Sequence, residues 1–199
     1  ITGSNNVGIG QDTFRNLSSG ATNVAIGQNA LNILTSGSDN VSIGQVAGAR
    51  ISTGIQNISL GVNSLNGSNN ITGNTNIAIG AASLYADQGV MSGSNNIGFG
   101  PSSGRGTTTG SYNTFIGTSA GYSSSPITGS DNIGIGRDTF RNLSTGSTNV
   151  AIGKLAGTTL ATGIGNIAVG PSALQVNSAG NYNVAIGQGA LNSLSLIHI

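Results

Sequence analysis

Few side chains in this sequence could perform acid–base, nucleophilic or metal chemistry. The 199 residues contain no cysteine and a single histidine, His198, which lies at the end of the chain. One histidine in that position allows neither a Ser-His-Asp triad nor a histidine metal cluster within the chain. Paired carboxylates would have to come from five scattered residues, Asp12, Asp39, Asp87, Asp131 and Asp138. We therefore predict that the protein is not an enzyme and that it uses no metal and no cofactor.

The glycine motifs and the charge also argue against several binding functions. Gly8-Ile9-Gly10 and similar fragments lack the third glycine and the following helix of a phosphate-binding loop. A net charge of +1 gives no electrostatic reason to expect nucleic acid. The chain contains no run of roughly 18 apolar residues, which a membrane-spanning helix would require. We therefore predict no nucleic-acid partner and no membrane insertion.

The composition is unusual for a globular domain. Charged residues make up 6% of the chain, whereas about 25% is typical, and there are 34 glycines. Disordered chains combine low hydrophobicity with high net charge, but this chain is 36% hydrophobic and almost neutral. Collagen is excluded because glycine does not recur at every third residue.

An internal repeat explains this composition. The pattern Asn-(Val/Ile)-x-(Ile/Leu)-Gly recurs with spacings of 17 to 20 residues, and only Phe99, Thr114 and Val169 depart from it. Glycine stands four residues after and three residues before each repeat asparagine. The repeat asparagines are Asn6, Asn23, Asn40, Asn57, Asn76, Asn96, Asn113, Asn132, Asn149, Asn166 and Asn183.

The repeat also sets the domain organisation. Residues 2–17 recur almost unchanged at residues 128–143, seven repeats later, which indicates that a seven-repeat block was duplicated. The pattern predicts glycine at the position of Ile197, where it is absent. We therefore expect one repeat domain over residues 1–194 and a non-repeat tail over residues 195–199.

Each repeat can form one coil of a solenoid. Side chains alternate between the two faces of a strand, so Val24 and Ile26 share one face and Ala25 lies on the other. We predict that the Val/Ile face forms the core and that residues 30–34 form a second short strand. The glycines then occupy corners that need a positive φ or a close backbone approach. Stacked coils give an all-β, parallel β-solenoid of about eleven coils and about 50 Å in length.

Two further columns of residues could have functions. The repeat asparagines can hydrogen-bond along the rod as a ladder, or they can form an exposed polar array for a ligand. The residue at the centre of each strand is small, except for Phe115, and would face away from a Val/Ile core, so we predict a subunit interface there. A solvent-facing stripe or a tightly packed corner are the alternatives. The predicted interface residues are Ala25, Ser42, Ser59, Ala78, Ala151, Ala168 and Ala185.

The repeat Asn-Val-Ala-Ile-Gly-x-x-Ala-Leu, preceded by Thr-Gly-Ser-x-Asn, resembles the head repeats of trimeric autotransporter adhesins and related repeats of phage tail fibres. The resemblance covers the chain from Gly3 to Leu194. It implies a left-handed β-roll, a homotrimer and a role in attachment, in an extracellular, cell-surface or virion setting. A host-surface receptor or glycan would then contact the longer loops near Asn66, Tyr85 and Tyr122. A self-assembling extracellular filament and an ice-binding solenoid are the alternative functions.

Overall fold

The chain folds as a parallel β-solenoid of about eleven turns. The structure is a computed structural model, and it describes residues 2–193. The predicted tail, residues 195–199, lies outside these residues. Each coil contributes one three-residue strand, and the strands are β1 (Val7–Ile9), β2 (Val24–Ile26), β3 (Val41–Ile43), β4 (Ile58–Leu60), β5 (Ile77–Ile79), β6 (Ile97–Phe99), β7 (Thr114–Ile116), β8 (Ile133–Ile135), β9 (Val150–Ile152), β10 (Ile167–Val169) and β11 (Val184–Ile186).

The strands form one parallel sheet in the order of the sequence. Equivalent positions pair throughout, as in Val24 with Val41 and Ala25 with Ser42. The longer repeats keep this register, because Ile58 pairs with Ile77 although the repeat between them has 19 residues. The extra residues are therefore accommodated outside the sheet, and equivalent side chains form columns along the whole rod.

The side of the coil opposite the sheet is not a second strand, contrary to the sequence-based expectation. Asn29 and Leu31 have left-handed φ angles of 59° and 48°, and the same two positions are left-handed in the other coils. A left-handed residue at every second position prevents an extended strand. In residues 2–193, this side of the coil forms only isolated parallel bridges, for example between Ile51 and Ile71 and between Ile71 and Met91.

The two glycine columns have different structural causes. Gly27, after β2, has φ +124°, and a Cβ added to it would lie 2.6 Å from the carbonyl oxygen of Gly44 in the next coil. Gly20, before β2, has no positive φ, but a Cβ there would overlap the carbonyl oxygen of Gly37. The glycine after the strand is thus required by conformation and by stacking, and the glycine before it by stacking alone.

The core is on the opposite face of the sheet from the one we predicted. Ala25 is fully buried inside the coil, whereas Val24 and Ile26 point outward and are only half-buried. The interior is filled mainly from the opposite side of the coil, by Leu31, Leu34 and their equivalents. These large side chains reach across the narrow coil and leave room for only a small residue at the centre of the strand.

Phe115 shows how strictly the interior volume is shared between the two sides. It occupies the strand centre, where the other coils have a small residue, and it is fully buried. Gly121 stands opposite it, where seven other coils carry leucine or phenylalanine and three carry glycine. A Cβ on Gly121 would lie 2.5 Å from Cε1 of Phe115. The alternation of large and absent side chains therefore reflects packing of the interior.

Candidate functional site

The asparagine ladder runs continuously from Asn6 to Asn183. At a typical rung, Nδ2 of Asn40 donates to Oδ1 of Asn23 at 3.0 Å and to the carbonyl oxygen of Gly54 at 2.9 Å. The backbone N–H of Asn40 also donates to Oδ1 of Asn23, at 3.0 Å. Each amide thus links its coil to both neighbours and satisfies a glycine carbonyl at the corner.

The ladder has little capacity left for a ligand. The nine asparagines from Asn23 to Asn166 have at most 1% of their surface exposed. Both hydrogen-bonding atoms of each of these amides are already occupied by neighbouring coils. Of the two alternatives raised by the sequence, the geometry therefore describes a buried ladder and not an exposed polar array.

The small residues that we predicted as a subunit interface lie inside the coil, so this prediction is wrong. These residues are no more than 1% exposed: Ala25, Ser42, Ser59, Ala78, Ala151, Ala168 and Ala185. Alternation along a strand determines which residues share a face, but it does not determine which face is enclosed. One signal in the sequence was the coil in which the sizes are exchanged, where Phe115 stands in place of the small strand residue and Gly121 in place of the large residue of seven other coils.

The outward face of the sheet carries a continuous apolar surface, which we call the Val/Ile stripe. It consists of the first and third residues of all eleven strands, and each of them is Val, Ile, Leu or Phe except Thr114. Ile9, Phe99 and Ile186 are more than half exposed, and Ile135 is 37% exposed. No charged residue interrupts the stripe. This surface is the most suitable one on the rod for contact with an apolar partner.

The predicted contact residues Asn66, Tyr85 and Tyr122 lie in one column, because each follows its ladder asparagine by nine residues. Asn66 is only 5% exposed, whereas Tyr85 and Tyr122 are half-buried. Arg105 stands between the two tyrosines in the same column, with its guanidinium carbon 5.2 Å from the ring centroid of Tyr85 and 5.7 Å from that of Tyr122. The structure thus brings the two tyrosines together around a cation.

Asp87 holds this cation in place. Nε of Arg105 donates to Oδ2 of Asp87 at 2.7 Å, and Nη2 donates to Oδ1 at 3.1 Å. This bidentate pairing raises the pKa of Arg105 above its usual value, partly offset by burial. Arg105 and Asp87 were not singled out in the sequence, although the shared offset of nine residues for Tyr85, Arg105 and Tyr122 was a visible signal.

Two classes of site are not found in residues 2–193. In that part of the chain, no three His, Cys, Asp or Glu side chains are grouped so that they could share a metal ion. The same residues include no helix long and apolar enough to cross a membrane.

Comparison of the chain with protein-family models, with curated proteins and with solved structures finds no match.

Proposed function

We propose that this chain is a non-catalytic structural segment of an extracellular or virion attachment fibre, in which three copies associate side by side along the Val/Ile stripe. The observation that carries the proposal is the stripe itself, which runs along every strand from β1 to β11 without a charge. The interface predicted from the sequence is thereby moved from the small residues to the opposite face of the same sheet.

The size of the stripe supports an interaction surface. Eleven strands spaced at about 4.8 Å give a length of about 50 Å, and two outward residues per strand give a width of about 10 Å. The projected area of about 500 Å² lies at the upper end of the apolar patches found on monomeric proteins. Permanent oligomer interfaces are more apolar than transient ones and resemble a divided core, and the uncharged stripe has that composition.

The regularity of the stripe favours another copy of the chain as the partner. Outward side chains recur at the strand spacing along the whole rod, so a second rod with the same period can interlock with it at every coil. The stripe is only two residues wide, and it carries no charge that could attract a charged partner. Three narrow stripes meeting at a common axis would bury one another, which agrees with the homotrimer implied by the sequence resemblance.

The backbone supports a role as a rigid spacer. Every strand is hydrogen-bonded to its neighbours in the sequence, and the ladder ties the same coils together at a corner. A rod built in this way resists bending at any single coil, because a bend would break both sets of bonds. Such a rod can hold an attachment tip at a fixed distance from the surface that carries it.

Sedimentation equilibrium on the full chain tests the proposal. We expect a particle of three times the chain mass, and we expect Ile135→Asp to dissociate it, because three carboxylates near one axis repel one another at a cost of several kcal/mol. That cost corresponds to a weakening of association of about 100-fold or more. The matched control is Thr145→Asp, at an exposed position outside the stripe, which should leave the mass unchanged. A folded wild-type chain that sediments as a monomer would contradict the proposal.

A further inference from the structure

A groove of about 340 Å³ crosses the outer surface of the second to fifth coils, on the side opposite the sheet. The groove arises in the column of residues that lie nine positions after each ladder asparagine. In this column a small residue, Ala49, stands between Asn32 and Asn66. The small side chain of Ala49 leaves a depression, which Tyr85, two coils further along the rod, also lines. The volume is at the lower end of the range of about 300–1,000 Å³ for small-molecule sites.

The polar groups of the groove include an unusual one. Only 5% of the surface of Asn66 is exposed, and its Oδ1 has no hydrogen-bond donor in the described part of the chain. Its Nδ2 donates only to Oδ1 of Asn63, at 3.3 Å. A buried carbonyl oxygen without a donor costs about 1–3 kcal/mol. A donor entering the groove, after a small rotation of the amide, would remove that cost.

The neighbouring amides add complementary groups. Nδ2 of Asn32 donates to the carbonyl oxygen of Asp12 at 3.1 Å and to Oδ1 of Asn29 at 3.2 Å. These bonds hold both amides in place and leave Oδ1 of Asn32 and Nδ2 of Asn29 available to a ligand. The groove therefore offers donors and acceptors close together, which is the requirement for binding adjacent hydroxyl groups.

Arg50 and Tyr85 define the ligand further. Arg50 is exposed at the groove, and among residues 2–193 no carboxylate lies within ion-pair distance of it. The guanidinium can therefore pair with a carboxylate of a ligand. Arg105 covers the Tyr85 ring at 5.2 Å, and Tyr85 also lines the groove. An aromatic ring fixed in this way can receive the apolar face of a sugar.

From these contacts we infer that the groove lined by Asn29, Asn32, Ala49, Arg50, Asn66 and Tyr85 binds an acidic saccharide, a sugar that carries a carboxylate. The amides bind its hydroxyl groups, Arg50 binds its carboxylate, and Tyr85 packs against its ring. The inference deepens the proposed attachment function and rests on it for its biological setting. It replaces the separate contact loops expected from the sequence with one surface between coils.

Isothermal titration of the full chain with 3′-sialyllactose, digalacturonic acid and lactose tests the inference. We expect binding of at least one acidic sugar, and at least tenfold weaker binding of neutral lactose. Arg50→Ala should remove this preference, and Ala49→Leu should abolish binding because it fills the depression. Arg141→Ala is the matched control, since it removes an exposed arginine that lies outside the groove, one position away from the column of Arg50, and should leave binding unchanged.

The outcomes separate this inference from the proposed function. Circular dichroism of each variant verifies that the solenoid is folded, and sedimentation of the same samples gives the oligomeric state. A trimer that binds none of the three sugars, or binds lactose as well as the acidic sugars, overturns the groove assignment alone. A monomer that binds an acidic sugar with the expected dependence on Arg50 supports the groove and overturns the trimer.

Discussion

Replacement of Asn96 by alanine removes one rung from the middle of the asparagine ladder. Nδ2 of Asn96 donates to Oδ1 of Asn76 at 3.1 Å and to the carbonyl oxygen of Gly110 at 2.9 Å. Its Oδ1 accepts from the backbone N–H of Asn113 at 3.0 Å and from Nδ2 of Asn113 at 3.1 Å. All of these groups are buried, so water does not replace the lost bonds.

The expected loss of stability follows from the groups left without a partner. Nδ2 of Asn113 keeps its bond to Gly129, and Oδ1 of Asn76 keeps the backbone N–H of Asn96. The N–H of Asn113 and the carbonyl of Gly110 lose the partners described above. Each orphaned group costs about 1–3 kcal/mol, so N96A should lower the free energy of unfolding by about 2–6 kcal/mol.

Urea unfolding followed by circular dichroism at one fixed protein concentration measures this loss. The control is Asn142→Ala, because Asn142 is exposed, lies outside the ladder and has an ordinary φ. We expect N142A to change the unfolding free energy by no more than about 0.5 kcal/mol. If N96A is as stable as N142A, the ladder does not stabilise the rod and the reasoning is refuted.

Two further sets of substitutions test the interior packing and the turn conformation. Phe115→Ala should lower the unfolding free energy by about 3–5 kcal/mol. Gly121→Leu should also destabilise, but the double variant should recover most of the loss because it recreates the pair of small and large residues found in seven other coils. Additive losses in a double-mutant cycle would contradict this. Thr148 has a left-handed φ of 56°, a conformation that asparagine adopts more readily than threonine. Thr148→Asn should therefore raise the melting temperature by relieving up to about 1 kcal/mol of strain, whereas Thr145→Asn, at a position with an ordinary φ, should not. Equal effects of both substitutions would argue against strain.

Much of the fold could be predicted because the repeat imposes the same geometry on every coil. The asparagine and glycine columns predicted the number of coils, the parallel register and the positions of the corners. The left-handed conformations at Leu31, Val46 and Tyr112 could not be predicted, because leucine, β-branched and aromatic residues rarely adopt a positive φ. Stacking between coils imposes the turn geometry at these positions regardless of local preference.

The inward and outward faces of the sheet were assigned incorrectly for a different reason. Val24 and Ile26 have the composition of a protein core, but residues at the interface of a permanent oligomer have the same composition. A hydrophobic pattern therefore cannot distinguish the interior of one chain from a surface that another chain covers. The volume of the coil decides, since Leu31 and Leu34 already fill the space next to Ala25.

The candidate groove was predicted only in part. Asn66 and Tyr85 were expected to contact a ligand because they border the longer loops. Their actual relation arises from the common offset of nine residues, which places them with Ala49 in one column. Arg50 was not predicted, because its position beside the groove depends on how the left-handed residues turn the chain, and that conformation was not visible in the sequence.

Disulfide cross-linking of a single-cysteine variant tests the association along the Val/Ile stripe most directly, because the natural sequence has no cysteine. In Ile135→Cys, thiols of neighbouring chains should meet near a common axis, and mild oxidation should give disulfide-linked pairs within the non-covalent trimer. Thr145→Cys, outside the stripe, should remain unlinked under the same conditions. Rapid cross-linking of I135C but not of T145C is the predicted result; equal linking of both variants, or none at position 135, would contradict the proposed interface.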